Sequence, residues 1–561
     1  MIKWLAATEL AKLTHGGADA LLSLIEIPPN EELGDAAFPC FHLAKEKRMA
    51  PQQIAAQLAK EWNITGIKAN AEGPYVNLTF NKAIYGKMLI DKISENQFRN
   101  LNFGNGKKVI IDMSSPNIAK PFGIGHLRST VIGNALYHLY KKTGHVPVRV
   151  NHLGDWGTQF GKQIAAYKKW GNEDKLNASP VDHLFELYVQ FHEEAENDPG
   201  LIDEARSWFH KLEKGDQEAR GLWEQFVAVS KEEFNDMYRF LGVDFEEVLG
   251  ESFYNDKMQA VIDELEEKGL LEESDGAMVV KLEEYDLPPC LIIKSDGSSI
   301  YATRDLATAI YRHEIMKGEK LLYVVGGEQT LHFKQIFAVL EKMGYEWAKD
   351  CFHVSFGLMR LEGKKMSTRR GRVITLKEVM KQAISSAIEI SKEKNPDRTI
   401  HDQTAKAMGT GAVIFGDLKN DRKNDVNFSL KEALRFEGET GPYLQYTYAR
   451  IKSLIRKAGE QTDSTAEIKE TFLDFPETWR LLKTLSVYPD VLKKSVSEHK
   501  PSHIAKYALS ICKHFNQFYQ QQRVLSDDKK EQFTKLAVCR QTVLLLKESM
   551  DILGIEAPEE I

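Results

Sequence analysis

The sequence predicts an α/β protein: a doubly wound parallel sheet at its centre, a small α/β domain before it and an all-α bundle after it. Three observations carry this. Between Lys107 and about Leu376, short β-branched runs alternate with helical patterns, the order that builds a parallel sheet covered on both faces. A polar, glycine-containing stretch from Asn100 to Gly106 separates the first part of the chain from the rest. Beyond Leu376 the apolar positions recur almost only at helical spacing. The expected division is 1–105, then 106–376 with a charged helical insertion over about 172–290, a connecting helical region 377–427, and a helical domain 428–561. A length of 561 residues suits several cores rather than one.

In chain order, Trp4 to Leu13 and Ile54 to Trp62 have helical patterns, and Tyr75 to Phe80 is strand-like. Val109, Ile110 and Ile111 make a β-branched run of the kind found in buried parallel strands, and Pro116 is expected to hold Ser115 extended and end the strand. Leu127, Val131, Ala135 and Leu139 recur at helical spacing, so a helix should begin near Gly125. Val148 to Val150 and Leu321 to Val325 are further core strands. Leu291 to Ile293 and Ile300 to Ala302 are expected to pair as a hairpin around Ser295-Asp296-Gly297-Ser298. Arg304 to Ile315 and Thr330 to Met343 read as helices, and His353 to Leu358 as an apolar strand. In the last domain Leu444, Tyr448, Ile451, Leu454 and Ile455 form one stripe. Leu536, Cys539, Val543, Leu546, Met550 and Leu553 repeat like heptad positions before a helix stop at Gly554.

Composition narrows the function. A formal net charge of −7 argues against generic polyanion binding, so any RNA partner must be held by local basic patches and shape. No apolar run approaches the roughly 18 residues of a membrane span. The first thirty residues hold Glu9, Asp19 and Glu26 and no arginine, which disfavours an import or secretion signal and places the protein in the cytoplasm. Cys40, Cys290, Cys351, Cys512 and Cys539 form no C-x-x-C pair, so neither a zinc site nor a disulfide framework is expected.

The most informative stretch runs from Ser114 to Thr130. It joins the first core strand to its helix through Pro116, Asn117, Lys120, Gly123, Gly125 and His126. Helix amide groups at the carboxyl end of such a strand face anions and phosphates. Gly125 removes the Cβ where a flat base could lie, and Lys120 and His126 can reach phosphate from opposite sides of the turn. Gly123-x-Gly125 opens like a dinucleotide fingerprint, but Arg128 stands at the third glycine position and that motif fails. A histidine at a helix start also serves as a cap or a packed residue. The whole string, Gly-x-Gly-His followed by Leu-Arg-Ser-Thr, resembles the HIGH signature of class I aminoacyl-tRNA synthetases. The flanking Ser115-Pro116-Asn117-Ile118-Ala119-Lys120-Pro121 and Asn151-His152-Leu153-Gly154-Asp155-Trp156-Gly157 resemble the arginyl-tRNA synthetase family.

A second basic loop lies further on, Gly363-Lys364-Lys365-Met366-Ser367-Thr368-Arg369-Arg370-Gly371-Arg372. Alone it reads as a solvated turn or an RNA-facing patch. More than two hundred residues after the first motif, in a two-half nucleotide fold, Lys365-Met366-Ser367 resembles the opening of the KMSKS signature of the same class. In amino-acid activation a carboxylate attacks the α-phosphate of ATP and pyrophosphate leaves, so charge builds on phosphate oxygens. Each well-placed donor or cation there is worth roughly 2–4 kcal/mol. The chain departs from the class pattern twice, with Thr368 at the second lysine of KMSKS and Gly123 at the first histidine of HIGH. Many members of the family lack that second lysine and carry one upstream of HIGH, where Lys120 stands.

The resemblance implies a Rossmann-like catalytic domain and assigns roles by position. Lys120, His126, Lys365 and Arg369 would act on the reacting phosphates. Gly123, Gly125, His126, His332, Met366 and Ser367 would bind ATP. Asp305 and Asp112 would take the guanidinium, which a carboxylate matches with two parallel bonds, although Asp112 is a methylene shorter than the glutamate common in the family. Without the resemblance Asp305 reads as a helix cap. Tyr301 would wall the pocket, and Asn117 and Gln329 would hold the α-amino or carboxylate end; alone these two read as polar turn residues. Residues 1–105 would touch the tRNA elbow. Tyr443, Tyr446 and Arg450, at the entrance of a cationic helix whose apolar stripe is core, would meet the anticodon. The implied partners are arginine, its tRNA, and ATP with Mg2+ as substrate, for a monomer with no tightly bound cofactor and no metal site. Two other readings stay open at this level: a catalytically degenerate paralogue that binds RNA or arginine, and a plain nucleotidylyltransferase, which would not need the chain after Phe428.

Overall fold

The structure is a computed structural model and describes residues 1–28, 30–295, 301–361, 375–394, 400–459 and 468–561. The first domain pairs three antiparallel strands, β1 (Ala36–Pro39), β2 (Ile67–Glu72) and β3 (Tyr75–Phe80), in the order β1-β3-β2. Val76, Leu78 and Phe80 alternate along β3 and are buried beneath helices Ile2–Thr14 and Pro51–Glu61. This domain docks onto the end of the chain. Buried Asp35 accepts from the Phe80 amide (2.9 Å), from Trp479 Nε1 (2.7 Å) and from Lys483 Nζ (3.0 Å).

The central sheet is built from β4 (Lys108–Asp112), β5 (Val146–Asn151) and β6 (Glu247–Val248). A small antiparallel sheet comes next, of β7 (Glu272–Ser274), β8 (Ala277–Val280) and β9 (Cys290–Ile293). Then β10 (Lys320–Tyr323) and β11 (Cys351–His353) complete the central sheet in the order β11-β10-β4-β5-β6, with every neighbouring pair parallel. Ile110 packs into one core with Leu321 and Leu306, while Val109 and Ile111 pack into the other with Leu127 and Val131. Period-two alternation thus feeds two cores, as a sheet covered on both faces requires.

Three expectations are corrected. The helical stretch expected to about 290 is interrupted after Leu241, where β6 joins the sheet beside β5 before a further helix at Met258–Glu267; two exposed residues, Glu247 and Val248, give no strand signal in sequence. Tyr301 and Ala302 are not the second arm of a hairpin but open helix Tyr301–Glu314, whose Ala302, Leu306 and Ala309 are buried at helical spacing; Asp296 to Ile300 lie outside the described residues. The apolar stretch His353 to Leu358 is split. Its first residue ends β11, and β12 (Met359–Leu361) starts beyond it and pairs in parallel with β13 (Val426–Phe428).

Helix Ile124–Lys142, directly after the turn that leaves β4, carries the deepest polar anchor of the molecule. Arg128 is 1% exposed, and its Nε lies 2.8 Å from Oδ1 of equally buried Asp417 on helix Asp402–Leu418. Its Nη1 donates to the carbonyls of Gly357 (2.6 Å) and Asn424 (2.9 Å), and its Nη2 to that of Arg422 (3.3 Å). One side chain therefore ties the first motif to the segments that enter β12 and β13. Arg128→Ala strands a buried carboxylate and should cost about 3–5 kcal/mol in denaturant unfolding. Arg128→Met combined with Asp417→Leu should recover most of that loss; recovery absent in the double variant would show that the carbonyl contacts, not the ion pair, dominate.

Candidate active site

The turn after β4 is strained. Ser114, Ser115 and Ala119 have φ of 70°, 51° and 60°. Each such non-glycine residue costs about 1–3 kcal/mol, and it persists only where the surroundings over-determine it. Ser115 is thus left-handed, not extended as its position before Pro116 predicts. The strain is held by tertiary hydrogen bonds. The Ser114 amide donates to Ser129 Oγ (2.8 Å), the Ser115 amide to Asn151 Oδ1 (3.2 Å) and the Ala119 amide to Ser230 Oγ (3.1 Å). Ser114 Oγ lies 2.8 Å from the Tyr238 hydroxyl and accepts from Thr130 Oγ1 at 2.9 Å. Leu-Arg-Ser-Thr is therefore largely scaffold: a core residue, the Arg128 anchor, and two hydroxyls that pin the turn.

His126 fills the capping role weighed for it. Its Nδ1 accepts the Gly123 amide at 3.1 Å and so caps the helix start. That bond fixes the remaining proton on Nε2, which is left to donate to a ligand. Burial, with Lys120 nearby, pushes the ring's pKa down to about 4, so the imidazole is neutral at working pH. The space where a Cβ on Gly125 would stand is open. Gly123 makes an antiparallel bridge to Thr375, and the Leu376 amide donates to Phe122 carbonyl oxygen at 2.9 Å. The chain from the second basic loop thus returns to the first motif at the glycine that replaces the class histidine. Lys365, Met366, Ser367 and Arg369, with Thr368, lie outside the described residues. Lys120 Nζ stands 4.9 Å from the ring centre of Tyr188, on helix Pro180–Asn197 of the insertion.

The residues expected to meet arginine divide. Asp112 is buried and already neutralised: Arg312 Nη1 lies 2.8 Å from its Oδ2, and Ser115 Oγ donates to its Oδ1 at 2.9 Å. An internal guanidinium occupies the carboxylate that was expected to take the substrate's, because Arg312 is itself 1% exposed and needs a counter-charge. Asp305 is accessible and pairs with His332 Nε2 at 2.5 Å. His332, assigned to ATP by resemblance, is thereby tied to the carboxylate assigned to arginine. Asn117 is exposed and bridges Gly154, whose missing Cβ would fall 2.1 Å from Asn117 Oδ1. Gln329 is exposed at the start of helix Thr330–Lys342, and Tyr301 is 67% exposed, so it does not close a wall in this structure.

One carboxylate escaped sequence reasoning. Glu251, with its side chain 17% exposed, lies 3.4 Å from Arg304 Nη1. Burial raises its pKa to about 7; Arg304 opposes this, and the nearby Asp305 and Asp155 add to it. It stands in a charged stretch with no motif, and its only signal was indirect: its amide donates to Leu153 carbonyl oxygen, inside the string Asn151 to Gly157 that carries part of the family resemblance. At the far end of the molecule, Arg450 stacks between Tyr446 (4.8 Å) and Tyr519 (5.6 Å), while Tyr443 accepts from Asn516 Nδ2 at 2.9 Å and is tied into the bundle.

Comparison with known proteins matches this arrangement along its whole length. The family model described as tRNA synthetases class I (R), catalytic domain, matches residues 89–430. The DALR anticodon binding domain matches 444–561, and the arginyl tRNA synthetase N terminal domain matches 2–80. Arginine–tRNA ligases of Streptococcus pneumoniae strains Hungary19A-6 and 70585 are each 49% identical over 564 residues, covering 100% of both chains. The structure of Thermus thermophilus arginyl-tRNA synthetase superposes with a TM-score of 0.81 at 24% identity over 96% of each chain. That of Plasmodium falciparum arginyl-tRNA synthetase gives 0.77 at 25% identity, over 96% of this chain and 94% of that one. With its strained strand-to-helix turn, its carboxylates at the sheet edge and these relatives, the chain belongs to the arginyl-tRNA synthetase family of class I aminoacyl-tRNA synthetases.

Proposed function

We propose a division of roles among the site residues for the reaction of this family member: arginine–tRNA ligation, in which ATP activates arginine to arginyl-adenylate and arginine passes to the terminal adenosine of its tRNA. The observation that carries the reading is full-length kinship at 49% identity joined to two partly buried carboxylates at the carboxyl edge of the sheet, Asp305 beside His332 and Glu251 beside Arg304. Asp305, oriented by His332, and Glu251 take the guanidinium. A planar fork matched by fixed carboxylates discriminates against lysine without an editing site. Asp112 acts at one remove, holding Arg312 and the base of the turn. Asn117 and Gln329 orient the α-amino and carboxylate end.

ATP lies over Gly125 with its α-phosphate at the helix start, accompanied by Mg2+ as part of the substrate. His126 donates through Nε2, and Lys120 swings from Tyr188 toward the phosphates, supported by Lys365, Met366, Ser367 and Arg369 of the returning loop. Gly123 takes part through its backbone, which bridges Thr375. Tyr446, held beside Arg450, offers a stacking platform to an unpaired anticodon base, with Arg450 facing its phosphate. One chain supplies all of these elements, which supports a monomer, and the cytoplasm is the compartment that suits them. No observation favours a catalytically silent binder.

Purified protein should charge total tRNA with labelled arginine in the presence of ATP; folded protein that charged nothing above background would overturn the reading. Arginine-dependent pyrophosphate exchange should be weak without tRNA. Lys120→Ala should depress that exchange by roughly 10²-fold, far more than Lys364→Ala; equal losses would contradict the role given to Lys120. The pH dependence comes from Glu251. A guanidinium needs the carboxylate, so below pH 7 binding must expel a proton. Arginine affinity should be ~10-fold weaker at pH 6 than at pH 8, by calorimetric titration. Glu251→Gln should weaken binding and flatten that profile.

A further inference from the structure

At the amino ends of the central strands, on the edge of the sheet opposite the activation site, lies an open cleft of about 830 Å3. That is within the range of small-molecule sites. Lys107, just before β4, and Lys320, the first residue of β10, line it from the sheet, and Lys493 lines it from helix Tyr488–Ser497 of the bundle. Among the described residues, none of these three lysines forms a salt bridge, although Asp350 and Glu319 also line the cavity. Lys320 is partly buried and its ammonium stands 4.7 Å from the ring centre of Phe352. Burial lowers its pKa, Asp350 opposes this, and Lys107 adds to the lowering more weakly. A half-desolvated cation beside a second cation is a costly arrangement that a bound anion relieves.

The walls are also aromatic. Phe352 lies 5.0 Å from the ring of His499, and Trp347 stacks on His313 at 4.4 Å and 13°. Three polar atoms in these walls have no hydrogen-bond partner: Tyr140 Oη, Trp347 Nε1 and His499 Nε2. Tyr140 is fully buried and His499 is 8% exposed.

We propose that this cavity is a second small-molecule site, separate from the activation site, that takes a planar aromatic anion of nucleotide size, its charge between Lys107 and Lys320 and its ring against Phe352. The guest would touch the catalytic domain and the anticodon-side bundle at once. The test uses anilinonaphthalene sulfonate as the fluorescent probe on the full chain, with the activation site filled by a non-hydrolysable arginyl-adenylate analogue. One saturable site should remain under that block. Lys320→Met and Lys107→Met should each weaken it by about tenfold, and Lys493→Met, on the exposed opposite wall, should weaken it in a chain whose fold the substitution does not threaten. Arginine-dependent exchange should stay within about twofold in all three variants. AMP should displace the probe at concentrations where inorganic phosphate does not. Absence of a saturable site under the block, or binding unchanged in all three variants, would overturn the proposal. Displacement by phosphate as effective as by AMP would overturn the aromatic part of it.

Discussion

A single buried guanidinium organises this molecule. Arg128 leaves the helix that begins within the first motif, meets Asp417 in the interior, and gives its remaining donors to three backbone carbonyls of the segments around β12 and β13. Burial pushes Asp417 up to about 6 even with Arg128 against it, so the pair is not a free gain in stability. Its value is positional. It fixes the strand pair from which the second basic loop departs relative to the helix at which that loop returns. The chain on either side of the second signature motif, more than two hundred residues after the first, is thereby tied to the helix that carries the first.

The strain in the first turn belongs to the same logic. Three left-handed non-glycine residues between Ser114 and Ala119 are costly, and hydroxyls from its own helix and from the insertion hold them there. Ser230 and Tyr238, on insertion helix Gln217–Leu241, each bond to this turn. The insertion is thus a brace for the activation site as well as a surface feature. Lys120, which rests against Tyr188 of the same insertion, is coupled to it too.

The substrate pocket shows how a buried pair can redirect a functional reading. Asp112 stands where the resemblance wants a carboxylate, yet Arg312 claims it; on the proposed reading the role passes to Asp305, paired with His332, and to Glu251, paired with Arg304. Glu251 is held near 7 by burial, with Arg304 drawing it down and Asp305 and Asp155 pushing it up. Local sequence around Glu251 has no periodicity or motif that would single it out. Its meaning comes from β6, a two-residue strand whose exposed Glu247 and Val248 are indistinguishable from a charged loop.

By itself the sequence determined the fold class, the three-part plan, the position of the activation turn and the family. Those rest on period-two and helical apolar patterns and on motifs whose spacing is local, and local patterns survive without a structure. Tyr75 to Phe80, Val109 to Ile111 and the Leu536 to Leu553 repeat all fall in the elements expected of them. Tertiary structure decided which polar groups are spent and which are available. His126 gives one nitrogen to its own helix, Asp112 is consumed by Arg312, and Ser129 and Thr130 turn inward to hold the backbone. Partners that arrive from distant parts of the chain leave no trace in the residues around a motif. Ser115 departed from its local preference for the same reason, since its hydrogen bonds to Asn151 and Asp112 outweigh the bias of the proline after it.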